Sequence, residues 1–278
     1  MLQIGELIGG SYQVKGVLGQ GGTSTVYLVE EEKSGAEYAL KEIPLEKAKN
    51  AGMMAELRLK EKLYHPSLVH LRRAWEQQEH LYLLMDYVKG VTLDKVLEKK
   101  GALPQETAVE LAMQLGRVLV YLHGFRPPVI YRDMKPANII LQEDGKVKLI
   151  DFGAIRQIER FHRFDTIPLG TPGYAAPEQF GRWGRSDVRS DVYALGVTLY
   201  HMLTGHDPSE PPYRICPIRE WNRSLSPTLE KIVLKCTRRL PFRRFRNCEV
   251  FLKSLEGYRN ADRKRPKYKV KRFLEKFS

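Results

Sequence analysis

The chain has 278 residues, 42% of them hydrophobic and 28% charged, with 22 Gly and 16 Pro. That balance excludes collagenous, coiled-coil and disordered classes, and the length suits one large globular unit or two modest lobes. Lys plus Arg number 46 against 33 Asp plus Glu, a net charge of +13 that favours anionic ligands such as phosphate-bearing ones. No window approaches the roughly 18 to 20 apolar residues of a membrane span. The start, MLQIGELIGG, lacks the basic and apolar regions of a signal peptide, so a cytoplasmic location is expected. Cys216, Cys236 and Cys248 are odd in number and form no CxxC pair, which suits buried thiols in a reducing compartment.

Residues 12 to 41 read as strands: alternating YQVKGVL, a Gly-rich turn, TVYLV, a polar EEKSG turn and EYALK. A helix is expected at about 51 to 64, closed by His65-Pro66, followed by two apolar runs, LVHL and LYLLM, that extend the sheet to Met85. Beyond residues 86 to 90 the period becomes helical. Pro104 suits a first turn, and Ala108, Leu111, Ala112, Leu115, Leu119 and Leu122 recur at spacings of three and four. Within this second, mainly helical lobe, IIL and KVKLI flank Asp144-Gly145, a hairpin signal.

Chemistry gathers at a few points along this frame. Leu18, Gly19, Gln20, Gly21, Gly22, Thr23, Ser24, Thr25 and Val26 lie between two expected strands, where glycines let backbone N–H groups close over phosphates. A flexible hairpin tip is the plain alternative, and the GK[ST] ending of a P-loop is missing. Lys41 ends the third strand, and Glu56 sits on the next helix where it can pair with that ammonium; a surface Lys and Glu is the alternative. The loop Tyr131-Arg132-Asp133-Met134-Lys135-Pro136-Ala137-Asn138 brings a carboxylate, an ammonium and an amide together, and Asp151-Phe152-Gly153 adds a second carboxylate. Phosphoryl transfer needs such a set: a base for the incoming hydroxyl, cations on the phosphates and oxygen ligands for Mg²⁺.

The ordered set GxGxx[S]xV, YALK, Glu56, YRDMKPAN, DFG and AAPE resembles the eukaryotic-like (Hanks-type) serine/threonine protein kinases, and GTPGYAAPEQ is similar to bacterial members. The resemblance covers residues 12 to about 258. It implies an α+β, bilobal protein kinase fold with a small antiparallel-sheet N-lobe carrying one helix and a larger, mainly helical C-lobe. The expected organisation is an N-terminal extension 1–11, an N-lobe 12–84, a hinge 85–90, a C-lobe 91–258 and a basic tail 259–278. The implied activity is transfer of the γ-phosphate of ATP to Ser or Thr of protein substrates, with autophosphorylation, using Mg²⁺ or alternatively Mn²⁺. The resemblance makes Asp133 the catalytic base and Lys135 the cation beside the transferring group. Asn138 and Asp151 become the metal ligands, and Lys41, fixed by Glu56, the holder of the α- and β-phosphates. Val26, Ala39 and Ile140 are implied to sandwich the adenine, Met85 to guard the back of its pocket, and Asp86, Tyr87 and Val88 to form the hinge. Lys135 and Thr171 match the Ser/Thr-specific pattern, while Glu178 and Arg244 are expected as a buried ion pair of the C-lobe.

Three departures stand out. Ser24 replaces the third glycine, Tyr131 replaces the usual His and is expected to pack under Phe152, and Lys60 stands where an apolar residue is normal. A lysine there buries its stem but not its head, so either Leu59 fills the gap or the helix is held less firmly and activity depends on a partner or a homodimer. Regulation is read from Arg132 and Arg156, expected to converge on the loop before the AAPE segment, whose Thr166 is a candidate phosphosite. Thr166 lies five residues before Thr171, displaced by one from the commonest position, and Asp165 or a solvent anion is the alternative neutraliser.

From Arg259 to Ser278 nine bases face two acids, a local charge of +7 that leaves +6 for the rest. Val270, Phe273, Leu274 and Phe277 recur at helical spacing among these bases. The stripe suits packing on the C-lobe, with contact to an anionic membrane surface as the functional rival and nucleic acid disfavoured. Two functions compete with the kinase reading: a nucleotide-binding pseudokinase scaffold, and a small-molecule phosphotransferase that the AAPE and Arg244 features oppose.

Overall fold

The first strands form where apolar residues alternate. In a computed structural model, which describes residues 1–22, 24–48, 57, 59–151, 156–157, 170–180, 186–211 and 213–261, residues Met1–Lys89 form one compact unit and the remainder a second. The first unit is a six-stranded antiparallel sheet built from β1 (Leu7–Ile8), β2 (Tyr12–Gln20), β3 (Thr25–Glu31), β4 (Glu37–Pro44), β5 (Leu71–Gln77) and β6 (His80–Asp86). Its order is β1-β2-β3-β4-β6-β5. Alternation decides which residues face inward. One face buries Ile8, Tyr12, Val14, Tyr27, Val29, Leu40, Tyr82 and Leu84, with Trp75 stacked 5.5 Å from the Tyr82 ring. Glu42 is buried on this face, where it accepts from the hydroxyls of Tyr27 at 2.9 Å and Tyr82 at 3.0 Å.

Two local expectations need correction. LVHL is not a continuous strand: Leu68 makes only an isolated bridge, Val69 is buried outside any strand, and β5 begins with the last residue of the run, Leu71, with Arg72 and Arg73 exposed. An edge strand needs apolar residues on one face alone, so its apolar content understates it. The helix expected over 51 to 64 is described as helical at Leu57 and at 59–61, and turns by Lys62 N–H to Leu59 and Leu63 N–H to Lys60 end it before His65-Pro66. Lys60 itself is buried, 6% exposed, while Leu59 stays partly exposed.

The second unit is mainly helical: α2 (Leu93–Lys100), α3 (Gln105–His123), α4 (Val188–Thr204), α5 (Ile218–Trp221), α6 (Pro227–Cys236) and α7 (Cys248–Ala261), with α1 being the short Leu45–Ala48 turn of the first unit. Every residue of the periodic stripe from Ala108 to Leu122 is fully buried in α3. Ser226 caps α6 by accepting from Thr228 N–H, ahead of Pro227 at the first position. Asp187 caps α4 by accepting from Arg189 N–H, and Ser190 Oγ accepts from Asp187 N–H in return.

Between these helices lie short strands: β7 (Val91–Thr92), β8 (Val129–Ile130), β9 (Ile139–Leu141), β10 (Val147–Leu149) and β11 (Arg156–Gln157). The Asp144-Gly145 hairpin joins β9 to β10, with Gly145 at φ +83°. The three cysteines are free and buried as expected. Thr23, Glu56, Phe152, Thr166 and the segment 262–278 lie outside the described residues. Among the described residues no helix is long and apolar enough to cross a membrane.

Candidate active site

Each unit presents its own set of the expected residues. In the sheet, Val26 lies opposite Lys41, Ala39 opposite Met85 and Lys41 opposite Leu83. Residues paired across a ladder share a face, so Val26, Ala39, Lys41 and Met85 stand together on the face away from the Tyr27–Leu40 core. Asp86 ends β6 and Val88 follows it: Asp86 takes the Arg72 guanidinium at 2.6 Å and donates its N–H to the His70 carbonyl, and Val88 is buried.

The glycine-rich hairpin is closed by Gly21 N–H to the Ser24 carbonyl at 2.9 Å, with Gly19 opposite Val26 and Gln20 opposite Thr25. Leu18, Gly19, Gln20, Gly21 and Gly22 are exposed, and none of the three glycines has a positive φ. A Cβ on Gly19 or Gly22 would meet nothing within 4 Å, and one on Gly21 only the Ser24 carbonyl at 3.8 Å. Neither backbone conformation nor packing requires glycine here. The bare main chain leaves room for a group to approach it closely.

In the helical unit the loop after β8 is drawn into a network. Asp133 Oδ2 accepts from Asn138 Nδ2 at 2.9 Å and lies 3.2 Å from Lys135 Nζ. Thr171 Oγ1 donates to Asp133 Oδ1 at 2.9 Å and accepts from Lys135 Nζ at 2.6 Å. Thr171, expected among the regulatory positions, therefore sits against the Asp133 carboxylate. Asn138 ends a 3₁₀ turn whose missing donor is Pro136, and its Nδ2 also donates to the Asp133 carbonyl. With both N–H bonds directed at Asp133, the amide oxygen is left available. Ile150 N–H donates to the Asn138 carbonyl, which sets Asp151 one residue along from that bond. Asn138 and Asp151 thus present oxygen donors from neighbouring strand ends, the type that Mg²⁺ takes. Ile140 lies between them in sequence, on β9.

The loop's frame comes from Asp191, wholly buried in the first turn of α4. It accepts from Tyr131 N–H, Arg132 N–H and His123 Nε2 at 2.8 to 2.9 Å. Gln179 Nε2 donates to the Arg132 carbonyl at 2.9 Å. Tyr131 is buried, and burial together with the Asp151 and Asp133 carboxylates raises its phenol well above the ordinary value, so it stays neutral. Arg156 pairs by its main chain with Ile130, two residues from Arg132, and its side chain lies outside the described residues. Glu178 and Arg244 form the expected ion pair, bidentate at 2.6 and 2.7 Å, with the Arg244 side chain fully buried. Sequence reading missed Gln179 and His123 as supports: Gln179 closes the GTPGYAAPEQ segment without a role read for it, and His123 is a single polar residue with no motif.

Comparison with known proteins agrees with this layout. The family model described as protein kinase domain matches residues 12–254. The chain is 30% identical over 276 residues to the serine/threonine-protein kinase PrkC of Bacillus subtilis, covering 94% of this chain and 42% of that protein. It is 34% identical over 207 residues to the serine/threonine-protein kinase PknL of Mycobacterium tuberculosis, covering 73% and 51%. It thus spans well under two thirds of these relatives. The crystal structure of the Mycobacterium tuberculosis PknI kinase domain superposes with a TM-score of 0.75 at 24% identity, over 92% of this chain and 99% of that one. On the family match across residues 12–254, the chain belongs to the protein kinase family and has its fold.

Proposed function

We propose that this chain is a serine/threonine protein kinase that transfers the γ-phosphate of ATP to Ser or Thr hydroxyls of protein substrates, itself included. The observation that carries it is the four-residue network of Asp133, Lys135, Asn138 and Thr171, with the carboxylate held by three polar partners. The related PrkC and PknL are named serine/threonine-protein kinases, which supports the same class here.

In this reading the acceptor hydroxyl meets Asp133, held there at hydrogen-bonding distance as a near-attack arrangement. Asp133 takes its proton as the new O–P bond forms and the bond to the ADP oxygen breaks. Lys135, already beside that carboxylate, offsets charge on the transferring phosphoryl oxygens. Asn138 and Asp151 are the residues to hold Mg²⁺, which when bound supplies positive charge to the phosphates. Gly19, Gly21 and Gly22 let phosphate approach the main chain with no Cβ in the way, and Val26, Ala39, Lys41 and Met85 are the nucleotide-facing residues of the sheet unit. The scaffold reading is the weaker one, because every described catalytic position carries a competent side chain.

Purified protein incubated with radiolabelled ATP and Mg²⁺, beside Asp133→Asn, tests this directly. Label on Ser or Thr that falls at least about a hundredfold in the variant is expected. ATP binding with no label on the protein or on a generic protein substrate would overturn it.

A further inference from the structure

We propose that the helical unit carries an anion-recognition pocket for its protein substrate, built from Arg214, Arg238 and Arg239, that favours acceptor sites with a carboxylate or phosphate a few residues from the hydroxyl. The proposal deepens the kinase reading above and rests on it.

A surface cavity of about 360 Å³ is lined by these three arginines together with Gly173, Tyr193 and Tyr213, and among the described residues no acidic one lines it. All three arginines are exposed, and none forms an ion pair with a described carboxylate, unlike Arg72, Arg244 and Arg259. Guanidiniums gathered on one pocket without a counter-charge create a positive field that a planar anion relieves by paired N–H bonds. Tyr213 stands at this pocket 70% exposed and with φ at +54°, an uncommon conformation for a side-chain-bearing residue.

The arginine-bearing loop is fixed from beneath. Buried Arg244 donates Nε to the Arg238 carbonyl at 2.7 Å and Nη2 to the Arg239 carbonyl at 3.0 Å, while its own charge is neutralised by Glu178. The pocket is thus preorganised before any ligand arrives. It also lies close to the acceptor position. Gly173 forms part of its wall, fastened at φ +88° with the Pro208 carbonyl 2.6 Å from where a Cβ would stand. Gly173 is two residues from Thr171, whose hydroxyl touches Asp133. Two residues span about 7 Å at most, and an extended peptide advances about 3.3 Å per residue, so a side chain two to four positions from the acceptor reaches the pocket.

The test is a set of peptides with one central Ser, in which Asp replaces Ala at each position up to four residues on either side, and phosphoserine replaces Asp at the best one. Wild type is expected to show at least a tenfold higher kcat/KM for Asp at one such position, mainly through KM. A larger gain with phosphoserine identifies phosphate as the preferred anion, and an equal gain a carboxylate. The triple variant Arg214→Ala, Arg238→Ala, Arg239→Ala should flatten the preference, and Arg238→Glu with Arg239→Glu should reverse it toward Lys. Because Arg244 bonds to main-chain carbonyls, these changes leave its supports in place; the single Arg214→Ala serves as the check if a multiple variant does not fold. Equal rates for Asp and Ala at every position, a preference that survives the triple variant, or one abolished equally by Arg243→Ala with Lys231→Ala would each overturn the pocket. Failure to phosphorylate any peptide or protein would instead strike the kinase reading. Fluorescence anisotropy of labelled Asp and Ala peptides then still decides the pocket, with equal affinities overturning it.

Discussion

Asp191 holds the main chain of Arg132 in a left-handed conformation: its Oδ1 accepts from Arg132 N–H at 2.8 Å, where φ is +68°. Oδ2 takes Tyr131 N–H and His123 Nε2. A non-glycine residue at positive φ persists only when its surroundings over-determine it, and here a buried carboxylate does so beside Asp133. Asp191→Asn keeps the volume but has one acceptor oxygen where two are used. It should cost about 2 to 3 kcal/mol in urea denaturation and lower kcat more than stability alone explains. A variant that kept wild-type stability and rate would show that the frame lies elsewhere.

Gly21→Val separates binding from folding. The built Cβ meets only the Ser24 carbonyl at 3.8 Å and the turn is exposed, so stability should stay within about 0.5 kcal/mol. If this hairpin closes over phosphates, KM for ATP rises severalfold while Tm is unchanged. A drop in Tm with unaltered KM would mean the glycine serves the fold.

Thr171 is tested by the pair Thr171→Ser and Thr171→Ala. Serine keeps the hydroxyl between Lys135 and Asp133, and alanine removes it, leaving the two charges still 3.2 Å apart. Serine should retain near-normal kcat, and alanine should lose about tenfold, one hydrogen bond's worth, with KM for ATP unmoved. Equal rates for both would exclude a positioning role.

Much of this architecture is legible because strong local signals agree with the tertiary outcome. The α3 stripe, the Asp144-Gly145 hairpin and the strands around residues 12 to 41 each carry their own period or turn residue. Strand β5 is obscured because Arg72 and Arg73 face solvent, so no alternation appears, and β1 is too short to register. Within the site, Asp133, Lys135 and Asn138 are contiguous enough to read from one loop. Thr171, Gln179 and Asp191 reach that loop from 36 or more residues away along the chain, so their contacts with it are set by the tertiary fold. Lys60 shows the reverse case. Its charge argued against burial, yet it is buried, as a long aliphatic stem allows.

Removing Arg244 should be the most damaging single change outside the site. The guanidinium satisfies both Glu178 oxygens and three main-chain carbonyls, those of Arg189, Arg238 and Arg239. Arg244→Ala strands a buried carboxylate and costs about 3 to 5 kcal/mol, and Arg244→Lys recovers little because an ammonium cannot reproduce the fork. Glu178→Gln should lose less, since Ser190 Oγ still has an acceptor. Urea titrations of the three variants check the order.

Acid should weaken the helical unit through His201. Burial holds its imidazole below the ordinary value of 6.5, with His206 acting in the same direction and Asp207 against it. Tyr174 Oη donates its one proton to Asp207 Oδ1 at 3.2 Å and lies 2.6 Å from His201 Nδ1, so the neutral ring fits as the Nδ1–H tautomer donating to the phenol oxygen. As pH falls through 6.5 the unfolded chain binds a proton that the folded chain refuses. The stability from this site is therefore fully present above 6.5 and is lost as pH drops toward the depressed folded value. The slope is at most about 1.4 kcal/mol per pH unit, or about 3 to 6 °C in Tm for a unit of this size. Melting curves between pH 7.5 and 5.5 should show that fall in wild type and a shallower one in His201→Gln, whose amide keeps a donor for Tyr174 but does not titrate. Identical slopes in the two proteins would place the acid sensitivity in other groups.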